Sequence, residues 1–191
     1  MLKREINWDA AAAIIASLIG LLALAVAGYT AYVQRQQVRA AVWPYLQLGE
    51  SDFLPGDDAT SSHGGLLAVL NKGVGPATVR SVQVWVDGKP QPDWRHVFKA
   101  LGYRDAPGYI RSSVNHTVLS PGEHLDVLKV LGQDAWAGFK EKFVHHMIIR
   151  ACYCSTLGDC WQSTLNMQDP TPQGQPVGSC ASPRTTVQFG D

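Results

Sequence analysis

Four cysteines are the most reactive side chains in this 191-residue chain, and all of them fall late: Cys152, Cys154, Cys160 and Cys180. An even set clustered in this way suits disulfides made in an oxidising compartment. Cys152 and Cys154 stand two apart in a strand-like segment, so both leave one face about 7 Å apart, too far for a direct bond. Cys160 lies just across the Ser155 to Asp159 turn from Cys154, and Cys180 sits in a tail segment rich in Pro, Gln and Gly. Four cysteines allow three pairings. The one preferred joins Cys154 to Cys160 and Cys152 to Cys180. The first bond closes a small loop, whereas the second closes roughly thirty residues and is worth about 3 kcal/mol in loop entropy.

Other chemistry for these residues is weaker. Structural zinc favours Cys-x-x-Cys knuckles, whereas Cys-x-Cys on a strand splays its sulfurs, and there is no second knuckle, so no metal is expected. A thiol exchanger usually places its reactive sulfur at a helix N-terminus, and these cysteines lie in strand and turn sequence. His145 and His146, read as strand neighbours, point to opposite faces and cannot chelate together. His63, His96, His116 and His124 are dispersed along the chain. Gly-x-Ser-x-Gly, His-Glu-x-x-His and the phosphate-loop pattern are absent, so no catalytic residue and no cofactor is assigned. Gly73-Val74-Gly75 reads as a turn. Asn115-His116-Thr117 fits a glycosylation acceptor, which matters only in a eukaryotic secretory route.

The element that decides where this chemistry takes place is apolar. Ala10 to Val33 contains no Lys, Arg, Asp or Glu, and at 1.5 Å per residue it reaches about 36 Å, enough to cross a bilayer. Basic residues do not orient it, since Lys3 and Arg4 precede the run and Arg35 and Arg39 follow it. The cysteines favour a cytoplasmic N-terminus and a periplasmic domain. Tyr29 and Tyr32 then lie at the outer membrane interface. Ala12, Ala16 and Gly20 recur every fourth residue and form a small-residue face on which a second helix can pack, giving a homo-oligomer. Ala25-Val26-Ala27 has the form of a signal-peptidase site, so a secreted domain released near Ala27 stays open. Against it, the apolar run is longer than a usual signal core, and Glu5 and Asp9 dilute the basic N-terminus.

The chain is thus expected to hold a short tail (1–9), a transmembrane helix (10–33), a juxtamembrane helical extension (34–41) and one domain (42–191). Sixteen basic residues balance sixteen acidic ones, which leaves no long-range field for nucleic acid. Trp43-Pro44 ends the helix, and Tyr45 to Leu48 begins a strand. Ser51 to Gly65 reads as a loop, Leu66 to Leu70 as a buried strand and Asn71 to Pro76 as a turn. Val82, Val84 and Val86 alternate with Ser81, Gln83 and Trp85 up to an Asp87-Gly88 turn. Asp93 caps a short helix carrying Trp94, Val97, Phe98 and Leu101. Val118-Leu119 and Leu125 to Val127 flank Ser120-Pro121-Gly122 as a hairpin, and Asp134 caps a brief helix with Trp136 and Phe139 inward. Met147 to Cys154 and Trp161 to Leu165 form another hairpin, and Thr185 to Phe189 a closing strand. The expected fold is all-β, an immunoglobulin-like β-sandwich with one or two short helices behind a single transmembrane helix.

Val42-Trp43-Pro44-Tyr45 after an anchor, Asn71 to Ala77, Leu119 to Glu123 and Tyr153 to Trp161 together resemble uncharacterised bacterial single-pass membrane proteins with a C-terminal β-sandwich. The resemblance implies anchoring and architecture. It carries no activity, and the cysteine-rich hairpin departs from its usual pattern. The function expected is that of a non-enzymatic interaction or assembly module on the outer face of the bacterial inner membrane. Its partners would be lipid along residues 10–33 and an envelope protein met through the loops Asp52 to Gly65 and Gly102 to Ser113. A thiol–disulfide exchange protein using Cys152, Cys154 or Cys160 is the alternative from another class.

Overall fold

The computed structural model describes residues 8–53, 64–180 and 189–190. The chain divides after Ala41 into two compact units. The first is a single helix, α1 (Trp8–Ala41), with no buried residue. It starts within the expected tail and runs unbroken through the juxtamembrane stretch. Its two aliphatic hydroxyls are satisfied within the helix: Ser17 donates to the Ala13 carbonyl and Thr30 to the Val26 carbonyl, each at 2.8 Å. Back-bonding of this kind lets polar side chains sit in an apolar run without an unpaired donor.

The second unit is built from β1 (Leu46–Phe53), β2 (Gly64–Asn71), β3 (Ala77–Val86), β4 (Lys89–Gln91), α2 (Trp94–Ala100), β5 (Tyr109–Arg111), β6 (Val118–Leu119), β7 (His124–Leu131), α3 (Gln133–His146), β8 (Met147–Cys154), β9 (Cys160–Leu165) and β10 (Gln175–Val177). Two antiparallel sheets result, ordered β1-β2-β7-β5 and β10-β9-β8-β3-β4, with β6 beside β3. They share one core. Leu46, Leu48, Leu67, Val69, Leu128 and Val130 from the first sheet and Val82, Val84, Val86, Met147, Ile149 and Tyr153 from the second are all buried in it. This is the outcome that period-two alternation demands of strands with one wet face.

Two helices extend the core with aromatic rings. Asp93 caps α2, accepting from the His96 N–H at 2.9 Å. On α3, Trp136, Phe139 and Phe143 follow the three-and-four spacing of one helical face, and all are buried. Phe98 meets Phe139 with ring centroids 5.6 Å apart, which joins the two helices. Gly65 in β2 lies directly under Trp136, where a Cβ would overlap the indole.

Several expectations need correction. Val118-Leu119 and Leu125 to Val127 are not a hairpin: β6 pairs with β3, whereas β7 pairs with β2 and β5 in the other sheet. The Ser120-Pro121-Gly122 turn reverses the chain, with Gly122 at φ +77°, but turn chemistry does not specify that the flanking strands bond each other. The second helix is longer than expected, because Phe143 extends the buried stripe beyond Phe139, and it begins behind Gly132 with Asp134 in its first turn and no side-chain cap. His145 and His146 therefore close a helix and are not strand neighbours. β1 runs on to Phe53, into the expected loop, and β5 and β10 form in segments read as irregular. Of the expected closing strand, only Phe189 is described. It is buried without belonging to a strand, and its N–H donates to the Val82 carbonyl at 3.1 Å.

The long outer strand β1 is plugged by a side chain. Gln173 accepts from the Leu48 N–H at 2.5 Å and donates to the Leu48 carbonyl at 2.8 Å.

Candidate functional site

The sulfur cluster forms at the end of the domain where β8 turns into β9. Cys154 and Cys160 stand directly opposite in register, and Cys152 faces Gln162. The connecting turn is closed by Ser155 N–H to the Asp159 carbonyl at 2.8 Å and Gly158 N–H to the Ser155 carbonyl at 3.1 Å, with Gly158 at φ +85°. After β10 pairs with β9, the tail delivers Cys180 to the same place. The bonds formed are Cys154–Cys160 and Cys152–Cys180, the pairs preferred from the sequence, and no described cysteine is free.

The two bonds are not independent in space. The Sγ atoms of Cys154 and Cys180, which belong to different disulfides, are 3.7 Å apart. Cys152 and Cys154 are buried at 7% and 4% exposure, while Cys160 and Cys180 are half-buried. The Sγ atoms of Cys154, Cys160 and Cys180 all lie within 4.8 Å of one another. A metal needs deprotonated thiolates, and here each sulfur is engaged in a disulfide. The chemistry open to this arrangement is exchange between sulfurs.

A second feature borders the Gly102 to Ser113 segment. Asp93, Trp94, Arg95, Tyr109 and Arg111 line a cleft of about 80 Å³. Asp93 also sits 2.9 Å from His96 Nδ1. Desolvation opposes ionisation of its carboxyl, but the hydrogen bonds from His96 outweigh this and hold it below the ordinary carboxylate value. The apolar cavity between the sheets, lined by residues including Leu48, Leu67, Val82, Val127 and Ile149, is about 20 Å³. That is room for about one water, far short of the roughly 300 Å³ at which small-molecule pockets begin.

Sequence reasoning missed two polar clusters. Asn71 is completely buried and serves four backbone groups. Its Nδ2 donates to the carbonyls of Gly75 (2.8 Å) and Leu119 (3.0 Å), and its Oδ1 accepts from the N–H groups of Tyr45 (3.2 Å) and Gly73 (3.0 Å). The Asn-Lys-Gly turn signal marked the place but not this reach. Separately, Lys140 on α3 pairs with Glu50 at 3.1 Å and Asp52 at 3.2 Å, and the Trp136 indole N–H donates to Asp52. That bond first, and Lys140 second, hold the Asp52 carboxyl below its ordinary value.

The remaining expected positions are separate from these. Tyr29 and Tyr32 are exposed on α1, as are Ala12, Ala16 and Gly20, and nothing lies within 4 Å of a Cβ built at Gly20. His146 Nδ1 sits 2.7 Å from Asp87 at the β3–β4 turn. His63 and most of the Asp52 to Gly65 loop lie outside the described residues. No protein-family model matches the chain, and no curated protein matches it.

Proposed function

We propose that this protein is a membrane-anchored interaction or assembly module whose domain stands on the outer face of a bacterial inner membrane. The observation that carries the reading is α1, a 34-residue helix with none of its residues buried, long and apolar enough to cross a bilayer. Its length of about 51 Å exceeds a hydrocarbon core of about 30 Å, so residues 34–41 can act as a spacer of about 12 Å. Tyr29 and Tyr32 would sit at the interface, and the face formed by Ala12, Ala16 and Gly20 would receive a second anchor.

The domain is read as an immunoglobulin-like β-sandwich. The strand order supports the reading: β1, β2, β7 and β5 can be taken as strands A, B, E and D, and β3, β8 and β9 as C, F and G, with β4, β6 and β10 added to the second sheet,. The late disulfides support an oxidising compartment,, and the resemblance to single-pass bacterial proteins agrees. The face around Arg95, Tyr109 and Arg111 is where an envelope protein would bind. It combines an arginine pair and an aromatic ring with half-exposed surface, a composition enriched at interfaces,.

Three measurements test the reading. Carbonate extraction should leave the protein in the membrane, a C-terminal periplasmic reporter should be active, and the intact mass should include the residues before Ala27. A soluble product beginning after Ala27 would replace it with a secreted domain, and a reporter active only in the cytoplasm would refute the orientation. A photocrosslinker at Arg111 should trap a partner that Arg95→Glu with Arg111→Glu releases; capture unchanged by that pair would remove the cleft from the interface.

A further inference from the structure

Two of the sulfurs are half-buried, Cys160 and Cys180, and attack at Cys160 is the one that frees Cys154, whose Sγ lies 3.7 Å from the other disulfide. Cys160 is half-buried at the hairpin turn, while its bonded partner Cys154 is 4% exposed. Attack on the outer sulfur expels the inner one as a thiolate. That thiolate has an electrophile in van der Waals contact, because Cys180 Sγ lies 3.7 Å away and is bonded to Cys152. Thiol–disulfide exchange needs such an approach of a thiolate to a disulfide sulfur.

We propose that the two disulfides form a relay: a dithiol acting at Cys160 reduces the protein by two electrons, and the reduction is passed inward to Cys152. The first thiolate of the dithiol attacks Cys160 Sγ, so a mixed disulfide forms and the Cys154–Cys160 bond breaks. Cys154 thiolate then attacks Cys180 Sγ, forming Cys154–Cys180 and expelling Cys152 as thiolate. The second thiol of the dithiol resolves the mixed disulfide and expels Cys160. The dithiol leaves as a disulfide, and its two protons are taken up by Cys152 and Cys160. One protein disulfide remains, now between Cys154 and Cys180.

This rearrangement has a structural output. The tail is held throughout, but its attachment moves two residues along β8, about 7 Å, while the β8–β9 turn loses its staple. The partner required is a dithiol, as a small molecule or as a paired-cysteine protein. The relay depends on the domain alone and stands whether or not α1 remains in a membrane.

The test treats the full-length protein with less than one equivalent of dithiothreitol, quenches in acid, alkylates the free thiols and maps the peptides. Chymotryptic cleavage after Tyr153 and Leu157 separates Cys152, Cys154 and Cys160. Molecules that have lost one bond should carry label on Cys152 and Cys160, together with a Cys154–Cys180 linked peptide. Label on Cys154 and Cys160 with Cys152–Cys180 intact overturns the relay. So does label on Cys152 and Cys180 with Cys154–Cys160 intact, or the appearance only of molecules labelled at all four positions. Cys160→Ser gives a second arm, in which the odd thiol should move from Cys154 to Cys152; label confined to Cys154 in the folded variant counts against the proposal.

Discussion

Replacing Asn71 by leucine withdraws one donor group and one acceptor from a place where four backbone atoms depend on them. The carbonyls of Gly75 and Leu119 and the N–H group of Gly73 lose a partner in the interior, and the N–H of half-buried Tyr45 loses one as well. At about 1 kcal/mol for each bond, the loss is about 4 kcal/mol, and leucine's apolar burial returns about 1 of it. A net loss of about 3 kcal/mol in a domain of this size lowers Tm by about 6–12 °C. Thermal unfolding in detergent micelles, followed by near-ultraviolet circular dichroism of the buried tryptophans, would read the shift. Asn71→Asp sharpens the test. It keeps an acceptor for the two N–H groups but turns a carboxylate oxygen toward two carbonyls. Its folded-state pKa is thereby raised, so its stability should recover as pH falls and be lost as pH rises through that value. A Tm shift under 2 °C for Asn71→Leu, or an Asn71→Asp variant that grows weaker on acidification, would refute the assignment of Asn71 as the partner that holds these four backbone groups.

Gly65→Ala places a methyl against the Trp136 indole and should cost about 2 kcal/mol through overpacking; chemical denaturation with unchanged m-value would measure it. Removing Cys152–Cys180, which spans 28 residues, should cost about 3–4 kcal/mol, against about 2 kcal/mol for Cys154–Cys160, which spans 6,. Double-serine variants compared by urea titration should show that order. Because the Asp52 carboxyl is held below its ordinary value, its contribution is present above that value and is lost as pH falls through the lower folded-state value,. Carbon-detected titration should find the Asp52 midpoint raised more by Trp136→Phe than by Lys140→Met, and an unchanged midpoint in both would break this assignment.

How much of this was legible in the sequence depends on the range of the interaction. Local rules placed α2 behind Asp93, the β8–β9 hairpin around Gly158 and the alternation of Val82, Val84 and Val86, since each is decided by residues within a few positions. What failed was long-range. Leu119 and Leu125 flank a turn that any hairpin would use, yet they enter different sheets, because Leu119 pairs with Ala77 and its carbonyl is claimed by Asn71. His145 looked extended because the polar run Lys140-Glu141-Lys142 hides the helical stripe that Phe143 completes. β5 is three residues long and exists only because β7 offers it an edge. At the candidate site, the cysteine pairing was preferred among three from the turn between Cys154 and Cys160 and the tail position of Cys180, while the contact between Cys154 and Cys180 depends on where the tail returns and has no local signature.

The Gln173 plug on β1 bears on how densely such molecules can be held. An eight-residue outer strand with open amides is a template for a neighbour's strand, and confinement of copies to one plane would multiply such encounters,. Among the described residues the other outer strands are short: β4, β5 and β10 have three residues each and β6 has two. By giving Leu48 both the acceptor and the donor that an incoming chain would supply, one glutamine amide makes this third position of the strand unavailable for polymerisation. Crowding can then promote contacts through side chains without fusing the sheets of adjacent molecules.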